Sequence, residues 1–290
     1  MGLKRWTAMG LAILCCCLAG TALAQVEAFG QWVEPEAESL VIDPVVVEDM
    51  EALVACLDQL PRLSQVDMYD SRLDKEQRGM LTQRYPNIRF GWTLIFSTYQ
   101  IRTDATAFST KRGQNNTHRF TSRQFEMLKY CYQMEALDLG HQAITSLNFL
   151  KYFPNLKVLI LADNDITDIS PIAQLEKLEY LELFMNEIKD VSPLAELKSL
   201  KDVNIAYNKV NDLSPLYGLE GLERLWASHN KLKAPQKEEA RSALPDCQID
   251  FAANTSTGSG WRRHARYWVI KEIFDSGSYR PLAEGEGTQP

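Results

Sequence analysis

Cysteine is scarce where it would matter. Of six cysteines, Cys15, Cys16 and Cys17 crowd near the start, leaving Cys56, Cys131 and Cys247 for the rest of the chain. That odd number at wide spacing excludes a disulfide scaffold, and the lack of a CxxC pair excludes the common zinc motifs. Buried thiols are the reading, with one bridge left open. Histidine is rarer still: His118, His141, His229 and His264 show no metal-ligand spacing, and no metal or cofactor is expected. Positive charge is outweighed, 31 Lys and Arg against 38 Asp and Glu, so no broad basic field exists to hold a phosphate backbone and nucleic acid is not an expected partner. After the first 24 residues no apolar run approaches the ~20 that span a bilayer.

Motifs of catalysis are also missing. Ser228 stands beside His229 and Asp138 lies near His141, but no glycine-rich elbow surrounds the serine and no acidic partner is evident for His229, so an enzyme is not expected. Asp163-Asn164-Asp165-Ile166-Thr167-Asp168 has alternate acidic places, yet lacks the sixth-place glycine and twelfth-place glutamate of a calcium loop.

What is present begins with an export signal. Lys4 and Arg5 precede an apolar run from Met9 to Leu23, which ends in Ala22-Leu23-Ala24. This is the layout of a secretory signal peptide over residues 1–24, with cleavage before Gln25; an uncleaved anchor is the alternative. Leu14 ahead of Cys15 does not fit a lipid-anchor motif. Losing Lys4 and Arg5 takes the net charge from −7 to −9, and the mature protein is expected to be acidic, secreted or attached to the cell envelope, monomeric, and not inserted in a membrane.

The decisive signal is a strict period. Leu156, Leu178, Leu200 and Leu222 stand at intervals of 22, and each opens a similar unit, as in LEYLELFMNEIKDVSPLAELKS. Met134 opens a looser copy, and LERLWASHNKLKAP begins a fifth, so repeats are expected over residues 134–246. Apolar residues at places one, four and six, such as Leu178, Leu181 and Leu183, fit a short half-buried strand. Asn164, Asn186, Asn208 and Asn230 recur at place nine, where a buried amide bonds backbone groups as the chain leaves the strand. Asp-[Ile/Val/Leu]-Ser-Pro recurs at 168, 190 and 212, predicting an N-cap serine before a proline-led helical turn.

These units resemble the leucine-rich repeat, and the D-[IVL]-S-P-[IL] ending is similar to the internalin type of bacterial surface proteins. The resemblance implies an α/β solenoid with a parallel concave sheet, short convex helical turns and a protein-binding concave side. The chain ends in Glu284-Gly285-Glu286-Gly287-Thr288-Gln289-Pro290 without an LPxTG-type sorting signal, so wall anchoring and host invasion do not carry over.

The flanks are less regular. Residues 25–47 are acidic and aperiodic and are expected as a flexible arm. Residues 48–133 form an N-terminal capping region: an amphipathic helix from Glu48 to Leu60, a strand within LSQVDMYDSRL, a helix from Asp74 to about Arg84, a hairpin over Phe90–Phe96 and Tyr99–Thr103, a polar loop over Lys111–His118, and a helix from Thr121 to Tyr130. Residues 247–275, with a closing strand at Ile249 and Phe251 and a helix from Trp261 to Phe274, are expected to cap the open end of the array. Alternatively, Arg262, Arg263, His264 and Arg266 meet an anionic surface. Residues 276–290 are expected as a disordered tail.

Strand alternation fixes which side chains share the concave face. Place three stacks Ala136, Val158, Tyr180, Asp202 and Arg224; place five stacks Asp138, Ile160, Glu182, Asn204 and Trp226; place seven stacks Gly140, Ala162, Phe184, Ala206 and Ser228; place eight adds His141, Asp163, Met185, Tyr207 and His229. Tyr180, Glu182, Phe184, Met185, Asp202, Asn204, Tyr207, Arg224, Trp226 and His229 are therefore the expected binding residues for a protein or peptide ligand. The alternative is that the tail folds back and covers the aromatics. An exported non-catalytic binding module is the leading reading, and a structural or assembly component of the cell envelope the second.

Overall fold

A computed structural model describes residues 25–42, 45–47, 49–96, 99–110 and 119–282, with two short strand segments ahead of them. The chain divides into two compact units, residues 1–103 and 104–290.

In the first unit, β1 (Lys4–Trp6) pairs in parallel with β6 (Val45–Val47), and β2 (Ile13–Leu14) pairs antiparallel with β3 (Gln25–Ala28). The remainder of the expected signal segment lies outside the described residues. Residues 25–47 are not the expected arm. β3 forms a hairpin with β4 (Gln31–Val33), and β5 (Ser39–Val41) joins a parallel sheet with β7 (Gln65–Asp67) and β8 (Arg89–Gly91). Three-residue strands are too short to display alternation, which hid them, but Leu40 and Ile42 anchor the segment at 3% and 2% exposure.

α1 (Met50–Leu57) starts at Asp49, whose carboxylate accepts from the amides of Glu51 and Ala52 at 3.0 Å. Its Leu53, Cys56 and Leu57 are buried. α2 (Lys75–Arg84) opens with a reciprocal box: Asp74 accepts from the Gln77 amide at 2.8 Å, and the Gln77 side chain accepts from the Asp74 amide at 2.9 Å. Strands and helices thus alternate from β5 to β8. The expected hairpin forms as β9 (Thr93–Phe96) with β10 (Tyr99–Arg102).

The second unit is built on seven parallel strands in chain order: β11 (Ala107–Ser109), β12 (Ala136–Asp138), β13 (Val158–Ile160), β14 (Tyr180–Glu182), β15 (Asp202–Asn204), β16 (Arg224–Trp226) and β17 (Gln248–Asp250). The register runs Ala136 to Val158 to Tyr180 to Asp202 to Arg224, which is the place-three column. The array extends beyond the expected residues 134–246 at both ends, since β11 and β17 pair in the same sheet. Inside the solenoid, Leu178, Leu181, Leu183 and their counterparts are fully buried, each contributing about 1.5–3 kcal/mol.

The asparagine ladder is continuous. Asn186 Nδ2 donates to the carbonyls of Leu161 and Leu183, both at 3.0 Å, while its Oδ1 accepts from the Ile166 amide at 3.1 Å. Asn164, Asn208 and Asn230 repeat the pattern, and Gln142 takes the place in the looser first copy, accepting from the Phe120 amide. Turning the asparagine inward forces place eight into the left-handed region: φ is +61° at His141, +53° at Asp163, +56° at Met185, +54° at Tyr207 and +54° at His229. A non-glycine residue loses about 1 kcal/mol there, which the ladder's bonds offset.

The convex turns are 3₁₀ rather than α, spanning Asn148–Tyr152, Ser170–Gln174, Ser192–Leu194 and Ser214–Leu216. Their cap is not the serine. Asp168, Asp190 and Asp212 accept from the amides of Ser170, Ser192 and Ser214, each at 2.8 Å, so the aspartate two residues earlier closes the turn. This bond, with burial working weakly against it, holds the Asp168 carboxyl below its usual range. The helix expected from Thr121 to Tyr130 forms over Ser122–Tyr130 and is likewise 3₁₀. α3 (Ala234–Ala243) is the convex helix of the fifth repeat. The polar loop 111–118 and residues 283–290 lie outside the described residues.

Candidate functional site

The concave sheet carries the columns expected of it, and the residues stand side by side as predicted. They are not open. Tyr180, Asp202 and Asn204 are fully buried, and Glu182, Phe184, Arg224 and Trp226 are at most 3% exposed. What covers them is the chain's own end. A turn at Trp261–Arg263 leads into α4 (Ala265–Ser276), and this segment returns across the sheet from its last strands to its first. Trp261 lies over β14 and β16, Arg266 reaches β15, α4 packs on β11 and β12, and the Tyr279 amide donates to Thr106 Oγ1 at 2.7 Å.

The expected end cap is therefore a cover for the concave face. The physical reason is area. Tyr180, Phe184 and Trp226 form one apolar surface with Val158, Ile160 and Ala162, and they join Trp261, Val269, Ile270, Ile273 and Phe274 in a second core.

Polar residues organise that core. Asp202 Oδ1 accepts from Arg224 Nε at 2.7 Å and from Arg266 Nη2 at 3.0 Å, while its Oδ2 accepts from Arg266 Nε at 2.8 Å. Arg266 also donates to Glu223 at 2.5 Å. Burial works against the charge of Arg266, but Glu223 and Asp202 hold its pKa above the ordinary guanidinium value. Trp261 Nε1 donates to Glu182 at 2.8 Å, and the Tyr180 hydroxyl donates to the same carboxylate. Burial first, then the adjacent Glu182, raises the Tyr180 hydroxyl well above its normal range, so it is a fixed donor.

The Arg224 guanidinium stacks 4.5 Å from the Trp261 ring centroid. Ser228 Oγ, Arg224 Nη2 and Arg266 Nη1 are buried without a hydrogen-bond partner.

Of the four columns, only place eight keeps exposed members. Met185 is 45% exposed, Tyr207 is half-buried, and His141 and His229 are exposed. The His229 ring stacks on Tyr207 at 4.1 Å, and His141 Nδ1 lies 2.8 Å from Asp163 Oδ2. The Ser228 hydroxyl is buried, and the His229 imidazole stacks on Tyr207. Among the described residues no group of three or more His, Cys, Asp or Glu is placed to hold a metal ion, and no helix is long and apolar enough to cross a membrane. Cys56, Cys131 and Cys247 are free thiols. Burial raises Cys56 to about 11, and raises Cys131 and Cys247 to about 12 with nearby carboxylates adding to it.

Sequence reasoning missed the half of the site supplied by the cover, Trp261 and Arg266, together with Glu223. One signal was available. Place two alternates in sign down the array, Glu135, Lys157, Glu179, Lys201, Glu223, and Glu135 with Lys157 and Glu179 with Lys201 pair across rungs at 2.6 and 3.8 Å. Glu223 ends the column without a following lysine, and Arg266 supplies that charge. Of the basic cluster, Arg262 and Arg263 remain exposed.

Register, ladder and left-handed eighth places define a leucine-rich repeat solenoid. Residues 154–196 match the family model described as leucine-rich repeats, two copies. Among solved structures, internalin C2 of Listeria monocytogenes is similar at 26% identity, with 56% of this chain covering 81% of that one at a TM-score of 0.40. The internalin InlF of the same organism is 16% identical over 79% of this chain and 87% of that chain, with a TM-score of 0.38. The functional domain of InlJ, also from Listeria monocytogenes, is 15% identical over 77% and 47%, with a TM-score of 0.41. No curated protein matches the chain significantly.

Proposed function

We propose that this chain is an exported, non-catalytic protein-binding module whose concave side and exposed rim hold a protein or peptide. Export rests on Lys4, Arg5, the apolar run to Leu23 and the Ala22-Leu23-Ala24 end. Binding is supported above all by one observation: the concave sheet presents outward aromatic, charged and amide side chains that already hold a polypeptide segment by burial and directed hydrogen bonds. The rim of Met185, Tyr207 and His229 lies beside that segment and remains accessible. The second reading, a permanent component of the cell envelope, draws on the fact that most of the face is already packed.

Capture from envelope and extracellular extracts tests the proposal, with residues 25–290 as bait beside a Met185→Ala, His229→Ala variant of unchanged melting temperature. A partner held by the parent and weakened at least tenfold by the variant supports a binding module. Identical capture by both, or capture by neither, refutes the rim and concave side as the binding surface. A stoichiometric complex that survives purification from native envelopes favours the permanent component.

A further inference from the structure

We propose that the concave sheet is a receptor site for an amphipathic helix of a partner polypeptide, and that residues 254–282 occupy it as a built-in stand-in for that helix. The inference rests on the protein-binding reading and narrows it to one partner chemistry.

The groove engages the segment's entry through its main chain. Tyr207 Oη donates to the carbonyl of Asn254 at 2.7 Å, Asn204 Nδ2 to that of Ser256 at 2.7 Å, Trp226 Nε1 to that of Gly258 at 2.9 Å, and Arg224 Nη1 to that of Trp261 at 3.1 Å. Four donors from two successive repeats thus follow one backbone, and main-chain bonds of this kind accept any sequence that takes the same path. Selection comes from the side chains beyond. Trp261 fills the space between Tyr180, Trp226 and the Arg224 guanidinium, with its N–H on Glu182. Arg266 enters a site whose Asp202 and Glu223 outnumber the single Arg224, so the groove is built to receive a cation. Val269, Ile270, Ile273 and Phe274 then lie on the small and apolar residues of the early strands.

The occupant is also a self-contained element. His264 Nδ1 caps α4 by accepting from the Arg266 amide, and Gly277, at φ +75°, closes its other end. It is joined to β17 through a stretch in which Ala252, Asn254 and Thr255 are exposed. The fitting partner is therefore an extended stretch entering a helix, with a tryptophan five residues ahead of an arginine and apolar residues three, four, seven and eight beyond that arginine.

The test uses residues 25–290 with a protease site inserted between Asn254 and Thr255, so that cutting leaves the segment in place without its tether. Fluorescein-labelled peptide of residues 255–282 is the probe, followed by anisotropy, with mass and circular dichroism read in parallel. The cut protein is expected to keep its fold and exchange its segment for the probe, while the uncut protein takes up little. Unlabelled parent peptide and an exposed-site Arg262→Ala peptide should compete equally. Arg266→Ala and Trp261→Ala peptides should compete at least tenfold more weakly.

Loss of fold on cutting, absence of exchange at any dilution, equal competition by the Arg266→Ala peptide, or segment swapping into a stable dimer would each overturn the proposal. Probe uptake without a partner in extracts would count against the reading of the previous section alone, and capture without uptake against this one alone.

Discussion

Replacing Arg266 by alanine probes the contact between solenoid and cover most directly. Arg266 is 1% exposed and makes two bonds to Asp202, at 2.8 and 3.0 Å, and one to Glu223 at 2.5 Å. Truncating one partner of a buried ion pair costs about 3–5 kcal/mol, because the other charge is left in a poor solvent. Two features place this case at the low end. Asp202 keeps Arg224 at 2.7 Å, and the Glu223 side chain is 42% exposed, so water can take over its share. A loss of about 3 kcal/mol in a unit spanning residues 104–290 corresponds to a melting temperature lower by about 6–12 °C.

Differential scanning calorimetry of residues 25–290 measures this, with Arg262→Ala as the exposed control. A double-mutant cycle with Asp202→Asn should then show coupling of about 1.5–3 kcal/mol between the two positions. An Arg266→Ala protein that melts within 1 °C of the parent, or a cycle with no coupling, would refute the reasoning. The network would then lend the docked segment nothing.

Four further outcomes are expected. Asn186→Ala should lower stability by about 1–3 kcal/mol in urea titrations by leaving the buried Ile166 amide unpaired and taking one of two amide donors from each of the Leu161 and Leu183 carbonyls, and half-buried Asn230 should lose less. Burial, aided by Arg224 and Arg266 and opposed by Asp202 and Glu223, lowers the His264 pKa in the docked state below 6.5. Docking stability is then fully present above the free-state value near 6.5 and falls as pH drops through the lower docked value. Melting at pH 7.5 and 5.5 should show that loss, and His264→Asn, which keeps a capping side chain, should remove this histidine's share of it. Burial pushes Cys131 and Cys247 to about 12 and Cys56 to about 11, so a thiol reagent at pH 8 should label folded residues 25–290 slowly and the urea-unfolded chain rapidly. Gly91→Ala should destabilise the first unit by about 1–3 kcal/mol, because a Cβ there would stand 2.5 Å from Asp67 Oδ1 and 2.7 Å from the Tyr69 ring; equal melting would show that the tyrosine can shift.

The period of 22 made the array legible because every repeat solves the same local problem. Leu178, Leu181 and Leu183 need an interior, Asn186 must satisfy the backbone leaving the strand, and Pro193 suits the first turn of a short helix. Such needs involve the next repeat at most, so they are written within some tens of residues. The columns followed for the same reason, and the register places Tyr180 beside Asp202 and Asp202 beside Arg224 as strand alternation requires. Less visible were units too short to show a pattern, such as β5, and the choice of 3₁₀ over α in convex turns that leave room for a single turn.

Sequence alone thus determined the solenoid, its strands, its ladder and the identity of the residues sharing the concave face. Tertiary structure alone decided whether that face is open. Trp261 meets Glu182 across 79 residues and Arg266 meets Asp202 across 64, and no local periodicity encodes a partner at that distance. The decision fell to area and charge: a concave surface of Tyr180, Phe184 and Trp226, with an acidic site at Asp202 and Glu223, loses most by facing water, and an apolar helix bearing one arginine lay within reach of its own chain.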